Sequence, residues 1–229
     1  MNFLDSEFLQ TMLLTFKLAF YTTLLLLPIG IALAVLLDSL HSRLGIILQA
    51  FIWMPLILPP SVLGFYLLVF FNRNNPLGVF LLEHFSLQLA FSFAGLVVAS
   101  VIFSLPFMVN PIKNALSSLP PSLKEASYTL GKGRISTFIF VLLPNIKSSI
   151  LLGCVTSFAH TIGEFGVVMM IGGSRAGETK VASIAIYEQV ETLNYTLAHQ
   201  YALTLFVVSF VSLCVIFALA HRYAKAHIL

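Results

Sequence analysis

Charged side chains are scarce. Asp, Glu, Lys and Arg make up 9% of the 229 residues, while 59% are hydrophobic; a water-soluble domain carries about 25% charged residues. With a mean hydropathy of +0.98 there is too little polar surface to cover a particle in water. That excludes a soluble domain and points to an integral membrane protein. Cysteine is also scarce: Cys154 and Cys214 both lie in apolar runs. No CxxC and no Cys/His group at zinc spacing occurs, so a disulfide framework and a zinc site are excluded. The net charge is only +3, with the cations in short stretches between apolar runs, so no nucleic-acid partner is expected. No GxxxxGK[ST] stretch is present, no catalytic triad signature, no metal-ligand set, and no internal repeat of the kind many secondary transporters carry. Neither a cofactor nor an enzymatic site is expected. Asp5 and Glu7 stand where a cleavable signal has basic residues, so the first apolar run is expected to be a retained helix.

What is present is apolar runs long enough to cross a membrane. A crossing needs about 20 apolar residues, and five regions qualify, at about 10–37, 46–71, 88–112, 138–171 and 199–220. They lack the alternation of barrel strands. The expected fold class is an all-α polytopic transmembrane helical bundle, one domain over 1–229. A sixth span would have to come from 176–198, which is too polar. Arg43, then Lys113, Lys124, Lys132 and Arg134, then Arg222 and Lys225 fall on one side. Arg73, Arg175 and Lys180 fall on the other, diluted by Glu83, Glu178, Glu188 and Glu191. The basic side is cytoplasmic, which places the N-terminus outside and the C-terminus inside. Pro28, Pro55, Pro59, Pro60 and Pro106 lie in or beside spans and are expected to kink them. The Pro55–Pro60 cluster predicts a broken helix.

The longest cytoplasmic loop, about 120–135, has a pattern of its own. Pro120 and Pro121 stop the preceding helix. Ser122-Leu123-Lys124-Glu125 fits a capping box, so a short helix is expected from about Leu123, with Leu119, Leu123, Ala126 and Leu130 near one face. Gly131 follows where a left-handed residue is wanted, Gly133 offers a second turn, and a new helix is expected at about Ile135–Ser136. On these features alone the segment is either an interfacial helix held by membrane lipid or a rigid projection that docks into another protein.

Glu125-Ala126-Ser127, three residues, Gly131, nine residues, then Val141-Leu142-Leu143-Pro144 resembles the EAA loop of ABC importer permeases, with Ser127 for Ala and Val141 for Ile. The resemblance covers nearly the whole chain and is nearest to permeases for molybdate or its twin tungstate. It includes Met54-Pro55-Leu56-Ile57-Leu58-Pro59-Pro60 with Gly64, the Asn75-Pro76-Leu77-Gly78 turn, Ser104-Leu105-Pro106, Gly163-Glu164-Phe165-Gly166 and Gly177-Glu178-Thr179. Sulfate permeases look similar at Gly163-Glu164-Phe165-Gly166 but usually run longer. The resemblance implies a bacterial inner-membrane subunit that pairs with a second copy of itself. Each copy would dock one ATP-binding subunit, and an extracytoplasmic substrate-binding protein would deliver the oxyanion. It implies that Glu125, Ala126, Ser127, Leu130, Gly131, Leu143 and Pro144 serve coupling to the ATPase.

Glu164 stands out on physical grounds, because a carboxylate within a span is costly. Gly163 and Gly166 flank it and loosen the helix. Pro59, Pro60, Gly163, Glu164, Phe165 and Gly166 are expected to shape the translocation pathway or its gate; the alternative for Glu164 is a helix-end carboxylate with a structural role. His160 lies four residues before Glu164, too few ligands for a metal. Tyr187, Glu188 and Glu191 are either a solvated outer loop or a contact for the binding protein.

Overall fold

The computed structural model describes residues 6–40 and 42–226, with side chains as far as Val215 and at Phe217 and Ala218. Asp5 and the side chains of Arg222 and Lys225 lie outside the described set. Every element among the described residues is helical. Three helices are long and apolar enough to cross a membrane: α1 (Ser6–Ser39), α5 (Phe93–Ser118) and the Tyr195–Val215 part of α12 (Tyr195–Ala226). Two bent helix pairs reach that length and apolarity only when each is taken together. Helices α2 (Arg43–Ile57) and α3 (Pro60–Phe71) meet at 109°, and the Arg134–Asn145 run meets α9 (Lys147–Gly163) at 71°. Counting each bent pair once gives five, matching the five apolar regions of the sequence. Between them lie α4 (Pro76–Phe85), α6 (Pro121–Thr129), α7 (Arg134–Thr137), a π-helical turn (Phe138–Leu142), α8 (Leu143–Asn145), α10 (Gly166–Gly172) and α11 (Ala182–Glu191).

One tripeptide, Leu-Pro-Pro, makes two of the breaks. A residue before proline is pushed out of the helical region. Leu58 and Pro59 are therefore extended (ψ 142° and 133°), and α3 restarts with Pro60 at its first position. Leu119 and Pro120 repeat this (ψ 136° and 133°), and α6 restarts at Pro121. Single prolines behave differently. Pro106 and Pro111 both sit inside an unbroken α5. Pro111 frees the Phe107 carbonyl four residues back. The Thr156 hydroxyl of α9 reaches that carbonyl at 3.3 Å, the kind of neighbouring donor that makes such prolines tolerable in a membrane.

Helices α1, α5 and α9 form the centre. Lipid supplies no hydrophobic drive between helices, so close packing through small residues must hold them. The fully buried Met108 of α5 fills the space left by Gly30 of α1 and Gly153 of α9, where an added Cβ would stand 2.3 Å and 2.9 Å from its side chain. Around it pack Leu26, Ile52, Ile112, Leu142 and Ile146. A second cluster, at the opposite end of the core, joins Leu18, Leu96 and Val97 to Val167, Val168 and Ile171 of α10.

Two expectations are corrected. The Asn75–Gly78 segment is the start of helix α4 instead of a free turn: Asn75 caps it by accepting from the Leu77 amide (3.1 Å), and Pro76 takes the first helical position. Tyr187, Glu188 and Glu191 stand on helix α11 and not on a loop, with Tyr187 and Glu191 exposed. Ala182, Ile184 and Ala185 are buried, and α11 packs against Met12 of α1 and Tyr201 of α12.

The glycines differ in what they protect. A Cβ at Gly95 would stand 1.8 Å from the Leu89 carbonyl oxygen, a backbone atom, whereas one at Gly30 meets a flexible Met108 side chain. Gly95→Ala is expected to lower the unfolding temperature in detergent clearly more than Gly30→Ala, with an overpacking cost of about 1–3 kcal/mol. Thermal unfolding of the two variants side by side checks the order.

Candidate functional site

The loop between the third and fourth crossings is an exposed helical tip with a buried root. Helix α6 starts two residues before the expected point. Pro120 is its N-cap, Pro121 its first residue, and no side chain caps it. The predicted capping box is therefore not formed, because the preset proline φ fixes the helix start before Ser122 can serve as cap. At the other end Gly131 is left-handed (φ +76°). The Lys132 amide donates to the Ser127 carbonyl (3.1 Å) and the Gly131 amide to the Tyr128 carbonyl (2.9 Å), which is a Schellman cap. Gly133 is extended and begins α7.

The inward stripe also differs from expectation. Leu119, Leu123 and Ser127 turn inward, while Ala126 and Leu130 face out; Leu130 lies past the last helical turn and is 80% exposed. With Tyr128 and Ile135 (77% exposed) it gives the tip an apolar outer surface, and Glu125 is exposed beside it. Ser127, the departure from the EAA pattern, is buried and its hydroxyl pairs with that of Thr137 at 2.9 Å. Outside this root, Asp38 at the end of α1 receives Lys124 (3.3 Å) and the Ser117 hydroxyl (3.0 Å).

Leu143 and Pro144 are not on the tip. They follow the π turn, in which the Leu143 amide reaches back to the Phe138 carbonyl. Pro144 has no amide hydrogen to continue the ladder. The Asn145 side chain donates instead to the Val141 carbonyl (2.7 Å), and the chain bends at Ile146.

At the other end of α9 the two broken crossings meet. The backbone leaves the helix at Glu164 (φ −69°, ψ 128°) and Phe165 (φ −122°, ψ −59°), then α10 begins at Gly166. A Cβ on Gly166 would stand 2.7 Å from Pro60 Cβ, and one on Gly64 would stand 2.7 Å from Met170 Cβ and 3.0 Å from Val167 Cα. Close approach, and not a special φ, is what these glycines permit. Gly163 faces open space, so its smallness is not required by packing. Pro60 and Gly166 are thus brought together; Pro59 lies one residue out, exposed.

Glu164 is inside, 4% exposed. Its carbonyl accepts from the Ser183 hydroxyl (2.6 Å). Neither carboxylate oxygen has a hydrogen-bond partner among the described residues, and the Ser100 hydroxyl faces it without reaching bonding geometry. Phe165 leans on Tyr187 of α11, with ring centres 5.1 Å apart. One turn back, the His160 ring lies 4.2 Å from Phe107 and 4.8 Å from Phe103, with Nδ1 2.9 Å from the Ser104 hydroxyl. Sequence reading passed over Phe103 and Phe107; the helical spacing of Phe103, Phe107 and Asn110 was the available signal. A cavity of about 290 Å³ opens beside Phe107, lined also by Trp53, Asn110 and Thr156. Among the described residues no cluster of His, Cys, Asp and Glu could hold a metal.

The far end of the bundle is ionic. Lys180 bridges Glu7 of α1 (3.0 Å) and Glu188 of α11 (2.8 Å). Burial alone would lower the Lys180 pKa, but the two carboxylates outweigh it and hold it above its ordinary value. Burial likewise pushes Glu188 up, and the Lys180 and Ser174 bonds with the Lys180 charge bring it below its ordinary value. Nearby, Gly177 is left-handed (φ +74°) and Thr179 is buried, donating to the Gly172 carbonyl (2.8 Å).

A bundle of apolar, membrane-length helices broken at proline and glycine is the build of a membrane transport subunit. Over residues 27–226 the chain matches the family described as binding-protein-dependent transport system inner membrane component. It belongs to that family. It is 42% identical over 217 residues to the molybdenum transport system permease protein ModB of Azotobacter vinelandii, covering 94% of each chain. It is 31% identical over 196 residues to the sulfate transport system permease protein CysT of Salmonella typhimurium, covering 86% of this chain and 70% of that one. The crystal structure of a bacterial alginate ABC transporter in complex with its pentasaccharide-bound periplasmic protein shares the fold. The TM-score is 0.77 at 19% identity, covering 96% of this chain and 81% of that chain.

Two measurements test this geometry. Thr137→Val leaves the buried Ser127 hydroxyl unpaired and is expected to cost about 1–3 kcal/mol, most of it recovered when Ser127→Ala is added; amide exchange over 121–132 follows the loss. The Glu188 contribution is present above about pH 4.5 and lost as pH falls through its lowered pKa. The Lys180 contribution is present below about pH 10.5 and lost as pH rises through its raised pKa. Stability in detergent should therefore be highest between those limits, and Lys180→Met should flatten both flanks.

Proposed function

We propose that this chain is the permease subunit of an ATP-driven ABC importer that carries molybdate, or its near twin tungstate, into the cytoplasm. The observation that carries the reading is the protruding α6 loop. Its Glu125-to-Pro144 spacing follows the EAA pattern, and its apolar tip is presented on a rigid, Schellman-capped base. The 42% identity to a molybdenum permease over nearly the full length supports the substrate. Sulfate is the second reading, favoured by the 31% identity to a sulfate permease.

In this reading two copies enclose the pathway and each receives one ATP-binding subunit at Glu125, Ala126, Leu130 and Gly131, while the buried Ser127 serves coupling by holding the tip to its root. The α6 end is cytoplasmic. The N-terminal end of α1, with Lys180 and α11, is outside, where a binding protein releases its oxyanion. ATP binding moves the loop. Leu143 and Pro144, at the root, pass the displacement through the bend into α9. At the far end of α9 the Pro60–Gly166 contact and the Gly163–Gly166 break shape the gate. An anionic cargo is repelled by a carboxylate, so Glu164 acts on the gate and not as a ligand. Delivery by a binding protein relieves the pathway of holding a strong anion site, in keeping with the absence of a Lys or Arg cluster from the apolar spans.

ATP-dependent uptake in proteoliposomes holding this chain, its ATPase and a binding protein tests the reading. Molybdate uptake should require ATP and resist a sulfate excess. Gly131→Asp places a side chain at a left-handed position on the tip and should abolish uptake together with ATPase retention. Glu164→Gln should lower uptake several-fold with the complex intact. Uptake without an ATPase would make the chain a self-sufficient transporter and overturn the proposal.

A further inference from the structure

A second polar site lies at the α6 end of the bundle, away from the pathway. The last turns of α1 and α5 and the first turn of α2 enclose a cavity of about 590 Å³. Arg43 and Lys113 line it from different helices, with Ser42 and Gln49 beside them. Neither cation has a hydrogen-bond or ion-pair partner among the described residues. Asp38 is on the wall, but its two oxygens are already engaged by Lys124 and Ser117, so the cavity keeps an unbalanced positive charge. Ser42 leaves the α2 N-terminus without a side-chain cap, and the free amides there add to the positive potential. Ile46 on the cavity wall and Leu44 beside it are 71% and 61% exposed, so an apolar flank adjoins the polar hole.

We infer that this cavity binds a tetrahedral oxyanion in the form of a phosphate headgroup. Arg43 and Lys113 would clamp the phosphate of an anionic phospholipid while its acyl chains lie along the exposed side of α2. Arginine matches phosphate with two parallel N–H donors, and basic pockets between helices at the cytoplasmic boundary suit such headgroups. The apolar flank favours a lipid over free phosphate, which has no use for it. Because Asp38 also anchors Lys124 of α6, the bound lipid would sit against the root of the loop. The placement at the end of the crossings comes from the fold alone and does not depend on which ion is carried.

Native mass spectrometry of the full chain with its partner subunits, released from detergent into the gas phase, tests this. The wild type should retain phosphatidylglycerol in preference to phosphatidylcholine. Arg43→Gln with Lys113→Gln should weaken that retention roughly tenfold or more, while Arg43→Lys with Lys113→Arg keeps it. Arg73→Gln, at the other end of the bundle, should have no effect. Equal retention of the two lipids, or retention unchanged in the double Gln variant, overturns the inference. Binding of inorganic phosphate in lipid-free micelles that depends on the same two residues, with no preference for phosphatidylglycerol, would assign the site to a soluble anion and overturn the lipid.

Discussion

A peptide group that leaves a helix inside hydrocarbon must find another partner, and three irregularities of this chain are arranged around that requirement. Where α5 carries Pro111, a threonine of α9 meets the freed carbonyl. Where α9 ends, the Glu164 carbonyl is met by Ser183. Where the π turn shifts the ladder ahead of Pro144, Asn145 meets the Val141 carbonyl. Two of these carbonyls are met by side chains of another helix and the third by a neighbour in the same run. Moving one element means moving its donors with it.

The same requirement links the two ends of the proposed mechanism. Ser127 and Thr137 tie the loop to α7. The chain continues from there through the π turn and the 71° bend into α9, and α9 leads to the junction where Gly166 rests on Pro60. A push on the exposed tip enters a helix that cannot slide freely, because Gly153 locks it to Met108 near its midpoint. In the proposed mechanism α9 would act as a lever about that contact, between the loop and the Pro60–Gly166 junction.

Much of this was legible in the sequence, and the reasons differ by element. The five crossings follow from hydrophobic length, and the break in the second follows from Pro59-Pro60. Gly131 was placed by its position after a short helix, and the structure gives it the left-handed φ expected. What failed was local and competitive. Ser122 and Glu125 fit a capping box as letters, but Pro121 sets the helix start first. Leu130 looked like part of a buried face, but it falls beyond the last helical turn. Helix α4 is apolar but too short, and α11 too short and too polar, for a hydropathy argument, and both show themselves only through their contacts. The Pro60–Gly166 contact joins residues about a hundred positions apart, and no local pattern encodes that.

The claim on which the account rests is that the exposed tip of α6 receives the ATP-binding subunit. A photo-crosslinking amino acid at Leu130, activated in intact membranes, addresses it directly, with the same probe at the exposed Phe206 of α12 as comparison. The account predicts that Leu130 traps a polypeptide carrying a nucleotide-binding loop, and that Phe206 does not. Lipid adducts at Leu130, with no such polypeptide, would make α6 an interfacial helix and contradict the account.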